Sequence, residues 1–277
     1  MVHEREFHYT EKDFNTVKKL VAQQTGINLT DAKKDLVYGR LSKRIRTLGL
    51  SSFRDYIEYI HQAHEDELVN FINAITTNLT SFFRENHHFE YLSNILLPQL
   101  IKVNEQSRKI RIWSAGCSTG EEPYSIAMTV LEHMEKHKNW DIKILATDLD
   151  TNVIEKAKSG IYTEERITGL EKERNKRWFL KGKGSKQGYV KVSSELKDII
   201  TFRQLNLIAS WPMQGTFDII FCRNVVIYFD KPTQKVLFDR YANLLVDNGT
   251  LFIGHSETLF KVSSRFKAIG STIYQKL

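Results

Sequence analysis

Ile110-Arg-Ile-Trp-Ser-Ala-Gly-Cys-Ser-Thr-Gly-Glu-Glu-Pro-Tyr-Ser-Ile-Ala127 is the stretch that decides the fold. A short apolar run enters a turn of small residues. A helix then begins with Pro123 in its first turn, where a missing N–H costs nothing. Strand, tight turn and helix in that order open an α/β unit, and Gly116 and Gly120 allow a ligand to approach the backbone closely. A dinucleotide loop would carry Gly-x-Gly-x-x-Gly and rest a pyrophosphate on the helix N-terminus; the spacing here is Gly-x-x-x-Gly. Glu121 and Glu122 stand where a pyrophosphate needs bare amides. They disfavour an anion there and suit a ligand carrying an ammonium and a sulfonium cation. On this segment alone, an ordinary strand-to-helix turn with solvated acids stays open.

The same texture continues toward the C-terminus, which predicts a mainly parallel sheet with helices on both faces. Strands are expected at residues 110–113, 142–146, 200–205, 217–222 and 250–253. In the long interval before the third, residues 178–181 and 189–192 flank Gly182-Lys-Gly-Ser-Lys-Gln-Gly188 and read as an inserted hairpin subdomain over about 178–195. Toward the N-terminus, residues 10–77 read as four short amphipathic helices. Thr10-x-x-Asp13 caps the first and Gly26 stops it; Leu36, Val37, Leu41, Ile45 and Leu48 mark the second, closed by Gly49. Ser52-x-x-Asp55 opens the third, and Leu68, Phe71, Ile72 and Ile75 mark the fourth. The expected organisation is a helical domain over 1–77 and an α/β domain over 78–277.

Candidate site residues sit where the pattern ends its strands. Lys143-Ile-Leu-Ala-Thr-Asp-Leu-Asp150 puts Asp148 at the carboxyl end of the second strand, where a carboxylate can accept from both hydroxyls of a ribose. Asp150 is placed to cap the following helix. Phe217-Asp-Ile-Ile-Phe-Cys-Arg-Asn-Val-Val-Ile-Tyr-Phe-Asp230 is a buried strand delivering Arg223, Asn224 and Tyr228 toward the ligand crevice, although Asn and Tyr are also ordinary turn and core residues. In Gly249-Thr-Leu-Phe-Ile-Gly-His-Ser-Glu257, His255 has no Ser or Cys nucleophile pattern around it and reads as structural. Thr76-Thr-Asn-Leu-Thr-Ser-Phe-Phe-Arg-Glu85 is either a packed linker or a flap over the crevice.

Composition narrows the class. A 277-residue chain with 41% hydrophobic and 26% charged residues suits two modest globular domains, and no apolar run approaches the ~18 residues of a membrane span. The N-terminus lacks a signal-peptide core, so a cytoplasmic location is expected. The two cysteines, Cys117 and Cys222, form no ligand-like pair, and neither a disulfide nor a metal site is expected. The net charge of +7 is uneven: residues 26–50 hold six Lys/Arg against two Asp/Glu, and residues 51–80 one against five. Arg40, Lys43, Arg44 and Thr47, with Lys33 in line, form a basic helix face suited to an acidic partner surface.

Taken together, Asn78-Leu-Thr-Ser-Phe-Phe-Arg84, the 113–127 loop, Ala146-Thr-Asp-Leu-Asp150, the 221–230 segment and Gly254-His-Ser-Glu257 closely resemble the bacterial chemotaxis receptor methyltransferases, the CheR family. The resemblance spans nearly the whole chain, including the helical N-terminal domain and the hairpin insertion. It implies a Rossmann-like fold that binds S-adenosylmethionine and methylates glutamate side chains on the cytoplasmic domain of methyl-accepting chemoreceptors, yielding S-adenosylhomocysteine. It places Asn78, Thr80 and Arg84 beside the cofactor and the transfer point, Glu122 at the cofactor's amino-acid end, Asp148 at its ribose and Asn206 and Leu207 at its adenine. Arg223, Asn224 and Tyr228 complete the pocket, with Arg84 and Tyr228 as the catalytic pair. The turn carries Gly116-Cys117 where small residues such as Ala-Ala would be expected, and Cys117 is itself small.

A glutamate with a pKa near ~4.3 is already ionised at neutral pH, so the chemistry needs positioning and no general base. Phe82 and Phe83 would serve as a lid excluding water. Some family members dock a receptor C-terminal peptide on the hairpin subdomain, and the Gly-rich loop resembles that form. A methyltransferase acting on DNA or RNA amino groups would carry an Asn/Asp-Pro-Pro-Tyr motif; Asn224-Val-Val-Ile-Tyr228 has neither proline and one more residue, so no nucleic-acid partner is expected. A non-catalytic receptor-binding module is disfavoured by the complete set of pocket residues, and a dehydrogenase by the glycine spacing. Nothing in the sequence demands more than a monomer.

Overall fold

A computed structural model describes residues 5–62 and 65–277. Contacts divide the chain into two units: one runs to Thr77 and takes in Tyr228–Thr233, and the other comprises Asn78–Ile227 and Gln234–Leu277.

The first unit holds α1 (Glu11–Thr25), α2 (Lys34–Thr47), α3 (Phe53–His61) and α4 (Glu65–Ile75). Their ends follow local chemistry. Thr10 accepts from the Asp13 N–H while Asp13 reaches back to the Thr10 N–H, a reciprocal cap, and Gly26 ends α1 in the left-handed conformation. Ser52 caps α3 through the Asp55 N–H. Phe14, Val17, Leu41, Ile45, Tyr56 and Phe71, all essentially without solvent exposure, form the core.

The basic face of α2 is not the open docking surface its spacing suggests. Arg40 Nη1 donates to the carbonyls of Ala74, Ile75 and Thr76 at 3.3, 2.8 and 2.7 Å, closing the C-terminus of α4. Arg44 forms a two-point pair with buried Glu67 at 3.0 and 2.5 Å, and Glu67 also accepts from Tyr56 Oη at 2.7 Å. A buried carboxylate needs its cation, so these two arginines hold the helices together. Lys33 and Lys43 remain exposed.

The second unit is built on a seven-stranded sheet. Its strands are β1 (Lys109–Ala115), β2 (Asp141–Asp148), β6 (Ile200–Gln204), β7 (Phe217–Cys222), β8 (Leu245–Ile253), β9 (Phe266–Gly270) and β10 (Ile273–Lys276), in spatial order β6-β2-β1-β7-β8-β10-β9. The first five are parallel, as their apolar runs imply, while β10 pairs antiparallel with both β8 and β9. The closing hairpin was not foreseen; β9, with one buried residue, Phe266, offers only a faint apolar pattern. The order reverses at β1, which lies between β2 and β7, and ligand crevices open at the carboxyl ends of strands at such a point.

The inserted subdomain has three strands. β3 (Ile161–Thr163) joins β4 (Phe179–Lys181) and β5 (Tyr189–Val192) in the order β3-β5-β4. At three residues, β3 is too short to show a period of two. Helices α5 (His87–Tyr91), α6 (Leu97–Val103), α7 (Glu121–Met134), α8 (Thr151–Ser159), α9 (Lys172–Trp178), α10 (Ser194–Asp198) and α11 (Lys231–Leu244) complete the elements, α11 beginning in the segment that groups with the first unit. Among the described residues no helix is long and apolar enough to cross a membrane.

Candidate cofactor and methyl-transfer site

The β1–α7 loop is held by packing. Gly116 and Gly120 have φ of 94° and 98°, and a Cβ on Gly116 would lie 2.3 Å from Val225 Cγ2. At Gly120 it would lie 2.9 Å from Ala157 Cβ and from Tyr162 Oη. Side chains of the protein lie where a Cβ would point, which gives these glycines a packing reason beside the ligand approach expected from their spacing. The loop's amides point at β2: Gly116 and Cys117 donate to the Thr147 carbonyl, and Ser118 N donates to Asp148 Oδ2 at 2.8 Å.

Asp148 ends β2, with Asp150 N donating to its Oδ1 at 3.1 Å. Burial pushes its carboxyl up to about 6, against the amide bonds from Asp150 and Ser118 that favour the charged form. Asp150 caps α8 through the N–H groups of Asn152 and Val153, and Asn78 Nδ2 donates to Asp150 at 2.7 Å. Asn78 also takes a bond from Ser118 Oγ on its carbonyl, at 3.0 Å. The 78–85 segment is therefore tied to the loop that follows β1.

The two acids of the loop are not solvated. Glu121 is fully buried, paired with Arg166 and bonded by Thr119 Oγ1 at 2.6 Å. Glu122 is 9% exposed, accepting from Ser114 Oγ at 2.7 Å and Arg223 Nη1 at 3.1 Å. A turn with solvated acids was the alternative the sequence left open. Strand and helix instead converge tightly enough to enclose them, and each is held by an arginine from a distant part of the sequence. Burial raises the Glu122 carboxyl while the Arg223 charge opposes the rise.

Arg223, at the carboxyl end of β7, is the hub. Its guanidinium lies between Glu122 and Glu85, 3.2 Å from Glu85 Oε2, and also donates to the Arg84 carbonyl. Glu85 collects His255 Nδ1 at 2.8 Å, His255 N at 3.3 Å and Asn224 Nδ2 at 3.4 Å. Burial alone would raise the Glu85 carboxyl, but the His255 bonds and the Arg223 charge outweigh it and bring it down to about 2. His88 beside it is buried, bonded to Thr272 Oγ1 at 2.8 Å, and lowered to about 3 by burial and the Arg223 charge. Phe83, Glu85 and Asn224 have φ of 52°, 58° and 58°, left-handed conformations costly for side-chain-bearing residues. Arg84 is thus bracketed by two such residues, and its Nη1 donates to the Leu79 carbonyl at 2.9 Å.

The linker is packed and is not a flap. Phe82 is buried edge-on against Tyr162 and Phe179, at centroid distances of 5.1 and 5.4 Å. Phe83 N donates to Ser125 Oγ at 3.0 Å and its ring lies under Arg174, which replaces the expected lid with core packing. Thr80 is anchored through its carbonyl by Arg166 at 2.8 Å. Asn206 Oδ1 accepts from Ile208 N at 3.1 Å, turning the chain after β6, and Leu207 is buried. Tyr228 groups with the helical unit, its carbonyl accepting from Asn28 N at 2.8 Å.

Sequence reasoning missed Arg166, Glu85 as a hub, and Glu257, whose buried carboxylate accepts from the N–H groups of Gly254, Asn224 and Ile227 at 2.5, 3.0 and 3.3 Å. Glu85 and Glu257 end two of the motifs singled out above; nothing in its surroundings marks Arg166.

An acid-tipped β2, a tight loop after β1 and a buried arginine at the end of β7 thus meet at the carboxyl ends of the central strands of a Rossmann-like sheet. A family model described as "CheR methyltransferase, SAM binding domain" matches residues 78–275, and one described as "CheR methyltransferase, all-alpha domain" matches residues 12–76. The chain is 45% identical to chemotaxis protein methyltransferase 2 of Pseudomonas aeruginosa, over 98% of this chain and 95% of the relative. It is 43% identical to the chemotaxis protein methyltransferase of Escherichia coli, over 96% and 91%. The corresponding protein of Borreliella burgdorferi is 40% identical, over 90% and 89%. The chain belongs to the CheR methyltransferase family, and it is an S-adenosylmethionine-dependent enzyme.

Proposed function

We propose that the chain transfers a methyl group from S-adenosylmethionine to glutamate side chains of chemoreceptors, giving glutamyl methyl esters and S-adenosylhomocysteine. The observation that carries the reading is Arg223 Nε, a buried donor without a hydrogen-bond partner beside Glu122. Such a donor is costly unless a ligand acceptor completes it. It suits the carboxylate of an amino-acid end, with Glu122 for the ammonium, Asp148 for the ribose hydroxyls and Asn206 and Leu207 for the adenine. Asn78, Thr80 and Asn224 line the same pocket in this reading.

When bound, S-adenosylmethionine supplies an electrophilic methyl group on a sulfonium centre. The protein's part is to aim an already ionised carboxylate oxygen at that methyl and keep water away. Arg84 grips the substrate carboxylate by a charge-assisted bond. The left-handed residues on either side of Arg84 fix where that guanidinium starts. Incubation with tritiated methyl donor and receptor-containing membranes tests the function: label released as methanol by alkali is the expected ester, and alkali-stable label would mean a methylamine and end the reading.

Arg84→Ala is expected to lower kcat by about tenfold or more while leaving S-adenosylhomocysteine affinity within about threefold, the pattern of a lost transition-state contact. Equal losses would make Arg84 a cofactor ligand only. The receptor partner also reaches the hairpin subdomain in this reading, a C-terminal receptor peptide adding to a sheet edge there. In support, the strands expose Leu180 and Tyr189, and a separate cleft of the subdomain is lined by Ile167, Phe179, Val190, Lys172, Lys176 and Lys181. On the helical unit, exposed Lys33 and Lys43 are what remains of a basic face for an acidic helical partner.

A further inference from the structure

The loop after β6 is clamped from behind by a residue outside every motif considered so far. Arg240, on α11, donates from Nη1 to the Leu207 carbonyl at 2.9 Å and from Nη2 to the Ala209 carbonyl at 2.5 Å. Its guanidinium carbon sits 3.8 Å from the centroid of the Trp211 ring, and Trp211 Nε1 donates to the same Leu207 carbonyl at 3.2 Å. A carbonyl oxygen has two lone pairs, so Leu207 has both engaged and its peptide plane has one orientation left.

The clamp is itself anchored. Trp211 packs edge-on against Trp113 of β1, 4.9 Å between centroids and 87° between planes, and lies 5.3 Å from Tyr241. Trp113 Nε1 donates to Thr147 Oγ1 at 2.9 Å, one residue before Asp148, and Leu205 N donates to the Asp148 carbonyl at 2.9 Å. A chain of contacts therefore runs from the ribose acid through Trp113 and Trp211 to Arg240 and back to Leu207. Recognition of a base by backbone groups demands that the peptide planes be set before binding, because loop ordering on binding is subtracted from affinity.

We propose that Arg240 is a positioning residue that fixes the 206–209 loop so that the protein distinguishes adenine from other purines. The proposal rests on the reading of Asn206 and Leu207 as the adenine contacts. Lysine at 240 would keep the charge but lose the planar fork that serves two carbonyls and stacks on the indole.

Calorimetric titration of S-adenosylhomocysteine and its inosine counterpart, in the wild-type chain and in Arg240→Ala, Arg240→Lys and Asn206→Ala, tests this alongside hydrogen exchange of the 205–210 amides in cofactor-free protein. Arg240→Ala is expected to weaken S-adenosylhomocysteine by about tenfold, the loss of two bonds from a charged donor partly offset by water. It should also shrink the preference for adenine and speed exchange in the loop, with Arg240→Lys between it and wild type. Unchanged base preference and unchanged exchange in Arg240→Ala, with Asn206→Ala losing the preference, would overturn the role of Arg240 alone. A wild-type chain indifferent to the base would remove the adenine reading and the proposal with it.

Discussion

Arg223→Ala is expected to cost the protein roughly 3–5 kcal/mol of stability, the usual loss when one partner of a buried ion pair is removed. For a chain of this size that corresponds to a fall in Tm on the order of 10 °C. The cause is specific: Glu122 is buried, Glu85 is largely shielded, and both face this one guanidinium. Without it, two carboxylates in a poorly solvated space must repel or take up protons. The variant should also lose detectable S-adenosylhomocysteine binding. Those two losses can be separated. In the triple variant Arg223→Met, Glu85→Gln, Glu122→Gln, no buried charge is left uncompensated, so most of the Tm should return while cofactor binding stays lost. Scanning calorimetry with and without S-adenosylhomocysteine reads both quantities. If Arg223→Ala melts at the wild-type temperature, the carboxylates have other compensation and Arg223 is not the hub of the site.

That hub shows what a sequence displays and what it hides. Asp148 was legible because strand period and fold rule place an acid there with no knowledge of partners, and Asp150 because an N-cap is a local contact. The α1 and α3 caps were legible for the same reason. What could not be read was pairing across long separations. Arg223 meets Glu122 from 101 residues away, and Arg166 meets Glu121 from 45. Nothing in the residues around Glu121 announces which cation will reach it, so a turn with solvated acids stayed open as a reading. The basic face of α2 misled in the same way: its spacing is real, but Arg40 and Arg44 are claimed by α4 and by Glu67. The glycines of the β1 loop were legible as a tight turn, while the packing of Val225, Ala157 and Tyr162 against them was not.

Cofactor affinity is expected to fall as pH drops through about 6, through Asp148. Burial raises its carboxyl to about 6 in the folded chain, above its ordinary 3.8. The sign follows from which form each process prefers. A ribose diol donates to a carboxylate, so binding selects the ionised form, and below pH 6 a growing share of the protein must first lose a proton. With the bound form ionised throughout, affinity for S-adenosylhomocysteine at pH 5 should be about tenfold weaker than at pH 8, one pH unit below the pKa being worth about one factor of ten. Folding prefers the opposite form. A carboxyl raised above its unfolded value contributes stability that is fully present below about pH 4 and is lost as pH rises through 6. The stabilisation conferred by S-adenosylhomocysteine should therefore be larger at pH 8 than at pH 5. Glu85, lowered to about 2, and His88, lowered to about 3, titrate outside this window. Glu122 is also raised by burial, so variants must separate the two acids. Asp148→Asn should weaken binding at pH 8 by roughly a hundredfold, two bonds to a charged acceptor being lost, and should leave affinity flat between pH 5 and 8. Glu122→Gln should weaken binding yet keep the slope. A slope that survives in Asp148→Asn and vanishes in Glu122→Gln would move the titrating group from the ribose end of the pocket to the amino-acid end.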